Sequence, residues 1–554
     1  MKIKKIYSLI FIITFGFLIN SCDILNTKID TLLTDKNIAT NYYTIWSFGY
    51  APYTFLQNGF NSVDGNLFAA VSDEAEQTAP SSAAQYFNLG NWNAYNNPED
   101  VYSHHYRAIR AANYFLDYSK DFVNFLALNR DTISDHQRQY KLDVQDVAWL
   151  RQENRVLRAY YYFELAKRYG GVPLVTETLQ SSDNTDLPRA SFDEVINYVV
   201  SEIDAVKDSL QVDWRTFDVS KAGRITKGAA LAIKAKALLY AASPLHNISG
   251  DVTKWQKAAY ASHDIIAMNK YSLSDNYQDL FLIDNTVISA ETIWDIRLGA
   301  TNDMEKKNYP IGTPGGASGI TPSQNLVSAY EYTGTANPAD PFENRDPRLG
   351  FSIVMNNNWW NGRTIQTWEG GQDAWNNTNT SRTGYYLKKF LNDNLDLVQD
   401  QSKLRNWIVF RYGETLLNYA ETMNEAYGPD DDNSWGMSAR QAVNSIRNRP
   451  LVLMTDIVAT TKEEMRDKIK HERRIELAFE DHRYWDLIRW KDAESVLNQP
   501  LKGIKATKNI DNTFSYSEFI VENRVFIAPK MYYYPIPQTE IGKSKGVMTQ
   551  NTGW

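Results

Sequence analysis

The chain has 554 residues and a formal net charge of −8, from 66 acidic and 58 basic side chains. That acidic balance argues against a nucleic-acid partner, whose phosphates need Lys and Arg for neutralisation. A single cysteine excludes an internal disulfide, and 43% hydrophobic residues supply material for a large core.

Lys2, Lys4 and Lys5 precede a nearly unbroken apolar run over 7–19. The run is too short to span a bilayer as a helix and fits the apolar stretch of a secretory signal. Ile19-Asn20-Ser21-Cys22 follows, a lipobox-like string with a small residue just ahead of the only cysteine. The expectation is a signal peptide over 1–21 and acylation at Cys22, which anchors the mature chain to a membrane without crossing it. Losing this leader removes three lysines and no acid, so the mature chain is more acidic still.

Past the leader, most recognisable segments read as helices. Ser72-Asp73-Glu74, with Glu76, forms an acidic turn suited to capping or salt bridges. Asn91, Trp92 and Tyr95 sit in the Asn-rich turn 88–97, ahead of a helix expected near Pro98. Over 153–169, Val156, Tyr160, Phe163 and Ala166 recur at helical spacing, and Gly170-Gly171 supplies the stop. The Ala-rich stretch 227–242 lets a neighbouring helix approach closely. Further helices are expected at 255–273, 411–427, 439–447 and 462–480. Strand signals are few: 292–297, 385–389 and an extended tail at 524–535. Small residues at crossings suggest paired helices of the tetratricopeptide kind, although no regular repeat of about 34 residues is visible.

The segment 299–402 differs in kind. It is rich in Gly, Asn, Pro and Thr, low in helical periodicity and far longer than an ordinary connection. Trp359, Trp360, Trp368 and Trp375 cluster within it among Asn and Gly, in a setting where exposed indoles point to a ligand. Sugar rings present C–H faces that lie on an indole, while their hydroxyls need polar partners. Asn361, Arg363, Glu369, Gln372 and Asp373 offer those partners beside the rings. The competing reading is that some of these rings plug the scaffold beneath the loop.

Enzymatic motifs are absent from the string: no HExxH, no Cys-His cluster, no G-x-S-x-G elbow and no Walker or dinucleotide loop. The run 471–490, HERRIELAFEDHRYWDLIRW, reads as two short amphipathic helices broken near Glu480, with Arg and carboxylate side chains placed to lock them together. Glu480, Asp481 and His482 are read there as a structural ion-pair network in preference to a catalytic group.

That run closely resembles the C-terminal hallmark of the SusD/RagB family. The strings 153–175, 223–245 and 411–426 resemble the family's other signatures and fall in its order. So do SDE at 72–74, NRDPRL at 344–349, YPIPQTEI at 534–541 and QNTGW at 550–554. Gly413 and Pro450 stand where the family more often has Ala. The resemblance implies a mainly α fold: an irregular tetratricopeptide-like scaffold of helix pairs with long loop-rich insertions and few short strands. It implies one SusD-like domain over 22–554, divided into a helical scaffold (about 22–298), a ligand-binding insertion (about 299–402) and a C-terminal helical part (about 403–554). It further implies an outer-membrane lipoprotein, exposed at the cell surface, that binds extracellular oligosaccharide and delivers it to a SusC-like TonB-dependent transporter. No bond is broken and no cofactor is expected, with a structural calcium left open. A ligand-facing aromatic in the family's early loop points to Trp92. Two alternatives remain beside this reading: oligopeptide import, since some relatives handle peptides, and surface glycoside hydrolysis by two carboxylates.

Overall fold

Hydroxyl caps start several of the long helices. In the computed structural model, which describes residues 42–128, 130–134, 137–180, 186–282 and 289–554, Ser191, Ser438 and Thr461 each close a capping box with the Glu or Gln three residues on. Cys22 and the leader lie outside the described residues. Counting helices of eight residues or more, the order is α1 Tyr42–Tyr50, α2 Tyr102–Tyr118, α3 Gln137–Tyr169, α4 Phe192–Val206 and α5 Lys227–Ala242. Then follow α6 Val252–Ala267, α7 Tyr412–Tyr427, α8 Ala439–Arg447, α9 Lys462–Glu476 and α10 Arg483–Trp490.

Neighbours in sequence are neighbours in space. α2 packs on α3, α3 on α4, α4 on α5, α5 on α6, α6 on α7, and α7 on both α8 and α9. This is the sequential stacking of a helix-pair scaffold, and the mainly helical fold class stands. In α5 the buried face is largely alanine, from Ala229 to Ala242, which explains how α6 and α4 come close on either side. One apolar core runs through α3, α4 and α5 into the insertion at Tyr309, Ile353 and Tyr386, and a second lies under α7, α8 and α9. Among the described residues no helix is long and apolar enough to cross a membrane.

Several boundaries differ from expectation, three of them at the ends of α2, α3 and α6. α3 begins at Gln137, well before 153, because its first half buries Asp143 and Asp146 as well as Val147 and Leu150. Asp146 and Glu153 are held by Arg224 at 2.6 and 2.7 Å, so ion pairs replace the apolar stripe that periodicity detects. α2 starts at Tyr102, not near Pro98, because Asn97 and Asp100 form successive side-chain turns ahead of it. α6 ends at Ala267, after which Asn269 turns left-handed (φ +48°).

Strands come in antiparallel pairs. β2 (Thr292–Thr301) pairs with β8 (Lys403–Arg411), so the two ends of the insertion lie side by side. Within and before the insertion, β1 (Ala75–Gln77) pairs with β3 (Ile320–Pro322), β4 (Ile353–Val354) with β7 (Tyr386–Leu387), and β5 (Trp359–Trp360) with β6 (Arg363–Thr364). The hairpin β9 (Leu501–Lys508) with β10 (Phe514–Glu522) was not expected. Lys502, Lys505 and Lys508 interrupt its apolar alternation, so it reads as polar chain. Gly384 fits it against the insertion: its φ is +86°, and a Cβ there would stand 2.2 Å from the Ile504 carbonyl oxygen.

The run 471–490 is a buried ion lattice. After α9 the chain turns through Phe479 (φ +67°) and Asp481 (φ +59°) and restarts as α10. Glu476, fully buried, accepts from Arg411 and Arg449 at 2.8 Å and from Arg348 at 2.9 Å. Burial alone would raise its carboxyl, but the charges of Arg449, Arg411 and Arg348 hold it down at about 2. Glu480 bonds Arg411 at 2.7 Å and Lys389 at 2.7 Å. Arg348 and Lys389 belong to the insertion and Arg411 to β8, so the lattice fixes the insertion to the scaffold. Asp73 of the acidic turn joins it through Arg474 at 2.6 Å and Arg483 at 2.8 Å.

Candidate ligand-binding cleft

The β5–β6 hairpin builds the most exposed aromatic site of the insertion. Asn361 and Gly362 form its turn with φ of +46° and +77°, and two successive left-handed residues are what Asn-Gly supplies in a tight hairpin. Side chains alternate across a strand, so adjacent tryptophans part company. Trp359 is 71% exposed, whereas Trp360 is fully buried, edge-on to Tyr309 at 5.4 Å. The Asn361 amide donates to the carbonyls of Asp393 and Leu395 at 3.1 Å, which ties the hairpin to the segment 393–398.

Between hairpin and segment lies an open cleft of about 640 Å³. Trp359 and Gly362 form one side, and Asp393, Asn394, Asp396 and Val398 the other. Asp393, Asn394 and Asp396 are exposed. Asp396 shapes the turn by accepting from the backbone N–H groups of Val398 and Gln399 through one oxygen, at 3.0 Å each. An exposed indole facing carboxylate and amide groups is the arrangement that a flat, hydroxylated ligand requires: C–H faces on the ring and acceptors for its hydroxyls.

The other expected site residues divide. Arg363 and Asp373 form a bidentate pair at 2.5 and 2.8 Å. Asp373 is fully buried and also accepts from the backbone of Gly312 and Gln366, so it braces the loop and is not available to a ligand. Trp368 and Trp375 are half-buried against the β9–β10 hairpin, at 5.1 Å from Phe514 and 5.9 Å from Phe519 respectively. Trp360 belongs to the core.

Trp92 requires the largest correction. It is 1% exposed, packed among Phe87 at 4.9 Å, Tyr534 at 5.0 Å and Trp554 at 4.5 Å, and offers no face to solvent. The turn 93–96 closes on itself through the Asn93 side chain, which leaves Tyr95 84% exposed and directs the apolar indole inward. Asn91 is exposed as well. This loop packs against the chain's last segment, with Gln538 donating to the Ala94 carbonyl, and makes no contact with the Trp359 cleft. Asp393, Asn394 and Asp396 were missed from sequence. The dense Asn/Asp string 392–396, within the insertion, is the signal that marks them.

The carboxylates near 480 are interior groups. Burial pushes Asp481 up to about 7, with the Ser62 hydroxyl donating to it at 3.1 Å, and burial pushes His482 far down. Glu74, within the acidic turn, rises to about 8, through burial and then the charge of Asp73. Among the described residues, no cluster of His, Cys, Asp and Glu has the arrangement of a metal site.

Comparison with known proteins agrees with this architecture. A family model described as the SusD family matches residues 289–554, and one described as starch-binding, associating with outer membrane, matches 39–239. A SusD-like protein of Formosa agariphila is 29% identical over 376 residues, covering 64% of this chain and 68% of the relative. A SusD-like protein of Bacteroides fragilis superposes with a TM-score of 0.76 at 24% identity, covering 94% of this chain and 99% of that one. A SusD-like carbohydrate binding protein from the same organism gives 0.73 at 23% identity, covering 92% and 99%. With signatures in order along the chain, a helix-pair scaffold and matching models over both halves, the chain belongs to the SusD family.

Proposed function

We propose that this protein binds an extracellular oligosaccharide at the Trp359 cleft and passes it to a SusC-like TonB-dependent transporter in the outer membrane. The observation that carries the reading is the pairing of one exposed indole with Asp393, Asn394 and Asp396 across an open cleft. Rings stack and hydroxyls are bonded there, with no nucleophile or acid–base pair needed, so the protein acts as a binder. Acylation at Cys22 holds it at the cell surface, and the helical face carries the contact with the transporter. Support comes from the lipobox-like leader, from the outer-membrane description of the matching family model, and from a structural relative described as carbohydrate binding.

Titration of the soluble protein against defined oligosaccharides tests the reading, with reducing ends assayed in the same mixtures. Saturable binding without new reducing ends is expected. No binding across a broad glycan panel, or release of reducing ends, contradicts it.

A further inference from the structure

The Trp359 cleft is rich in acceptors and poor in donors. Among the described residues, Asp393 forms no ion pair and its carboxylate accepts no hydrogen bond. Asp396 uses one carboxylate oxygen on the Val398 and Gln399 N–H groups and leaves the other free. No Lys, Arg or His lines the cleft. The Asn361 amide is committed to the Asp393 and Leu395 carbonyls at 3.1 Å, so the free side-chain donors of the lining are the Asn394 amide and the Trp359 indole N–H. Basic groups close in sequence to the lining are engaged elsewhere: Arg363 holds Asp373 at 2.8 Å, and Lys388 donates to the Gly350 carbonyl at 2.7 Å. Lys403 lies 3.5 Å from the Asn392 amide oxygen and outside the lining.

A ligand held here must therefore donate. A carboxylate or sulfate group can only accept, so it meets two like charges and finds few partners. A protonated amine brings three donors and a charge of the right sign. The indole adds to that preference, because an aromatic face attracts a cation. We infer that the cleft selects its glycan by charge: it takes sugars bearing a protonated amine ahead of neutral sugars and rejects sugars bearing carboxylate or sulfate. The inference rests on the glycan-binding reading of the cleft and adds to it the ligand class: an amino-bearing glycan. A charge held about 6 Å from a carboxylate through water shifts an equilibrium about threefold, so two carboxylates separate an amino or an acidic sugar from its neutral parent by about tenfold in opposite directions.

The test titrates the whole soluble chain calorimetrically at neutral pH and low salt. The probes are cello-, malto- and galacto-oligosaccharides, each beside derivatives in which the primary hydroxyl is replaced by an amine or oxidised to a carboxylate. On a backbone that binds, the amino form should bind about tenfold tighter than the neutral form and the carboxylate form about tenfold weaker. That spread should narrow as salt rises from about 20 to about 300 mM, because the cleft is open to solvent. Asp393→Asn with Asp396→Asn should collapse it to within about twofold, which assigns it to these two groups and not to the acidic chain as a whole. Should the double variant melt early or bind nothing, Asp393→Asn alone, at the carboxylate without a hydrogen bond, should narrow each step to about threefold. Amino and carboxylate forms that bind as the neutral one does, the reverse order, or a spread that survives the aspartate changes overturn the inference. The cleft reading then still stands on the response of the neutral form to Trp359→Ala. If no form of any backbone binds, both readings fail together.

Discussion

Replacing Glu476 by Gln tests the claim that the signature run is structural. The substitution keeps shape and volume and removes one charge from a site where three guanidiniums converge within 2.9 Å. Its folded carboxyl sits at about 2 against an ordinary value of 4.5. A depressed carboxylate contributes stability above its unfolded value, and that stability is lost as pH falls from about 4.5 through about 2. A shift of that size corresponds to about 3 kcal/mol, and loss of one partner from a buried pair costs about 3–5 kcal/mol, so the two routes agree. For a cooperative unit of about 500 residues the unfolding entropy is about 1 kcal/mol/K, which makes the expected fall in melting temperature about 3–5 °C at pH 7. Calorimetry at pH 7 and at pH 3 reads both parts: a clear deficit at neutral pH, shrinking at pH 3 because the unfolded chain's carboxyl is protonated there while the folded one is still ionised. Ligand affinity at low temperature should be unchanged. An unchanged melting temperature at pH 7, or a deficit of equal size at both pH values, would refute the lattice argument.

Glu74 should behave in the opposite sense. Its carboxyl is raised to about 8, so its favourable contribution is present below about 4.5 and lost as pH rises through about 8. Glu74→Gln should raise the melting temperature at pH 8.5 relative to the parent and leave it nearly unchanged at pH 4, read in the same calorimetric series. Trp92→Ala and Trp360→Ala should each cost about 3–5 kcal/mol of stability in chemical denaturation, because both rings are core. A Trp92 variant with full stability and no ligand binding would return that ring to the site. Cys22→Ala should leave a folded protein that no longer sediments with membranes after a carbonate wash, and persistent sedimentation would mean another anchor.

Much of the scaffold was legible because its helices announce themselves twice, by apolar spacing and by their ends. α5, α7 and α8 fall close to where the sequence puts them. The first half of α3 did not, since Asp143, Asp146 and Glu153 are buried there by pairing with Arg130 and Arg224, and periodicity does not register a charged interior. The site was legible as a region and less so as residues. WWNG marks a hairpin, and a two-residue strand must turn one indole out and one in, but which one depends on where Tyr309 lies, over fifty positions away in sequence. Trp92 misled because a tryptophan among asparagines looks exposed, and the rings that cover it, Tyr534 and Trp554, come from the far end of the chain. Asp393 and Asp396 acquire meaning only once Asn361 bonds the backbone between them.

The central claim is that the exposed indole of the β5–β6 hairpin holds the ligand. Truncating a ring at the heart of a contact typically costs about 2 kcal/mol or more, on the order of a thirtyfold loss of affinity. The direct measurement is calorimetric titration of Trp359→Ala with the tightest-binding oligosaccharide, alongside its melting curve. Because Trp359 is 71% exposed, the account predicts that loss of affinity at an unchanged melting temperature. Parental affinity in the variant would contradict it.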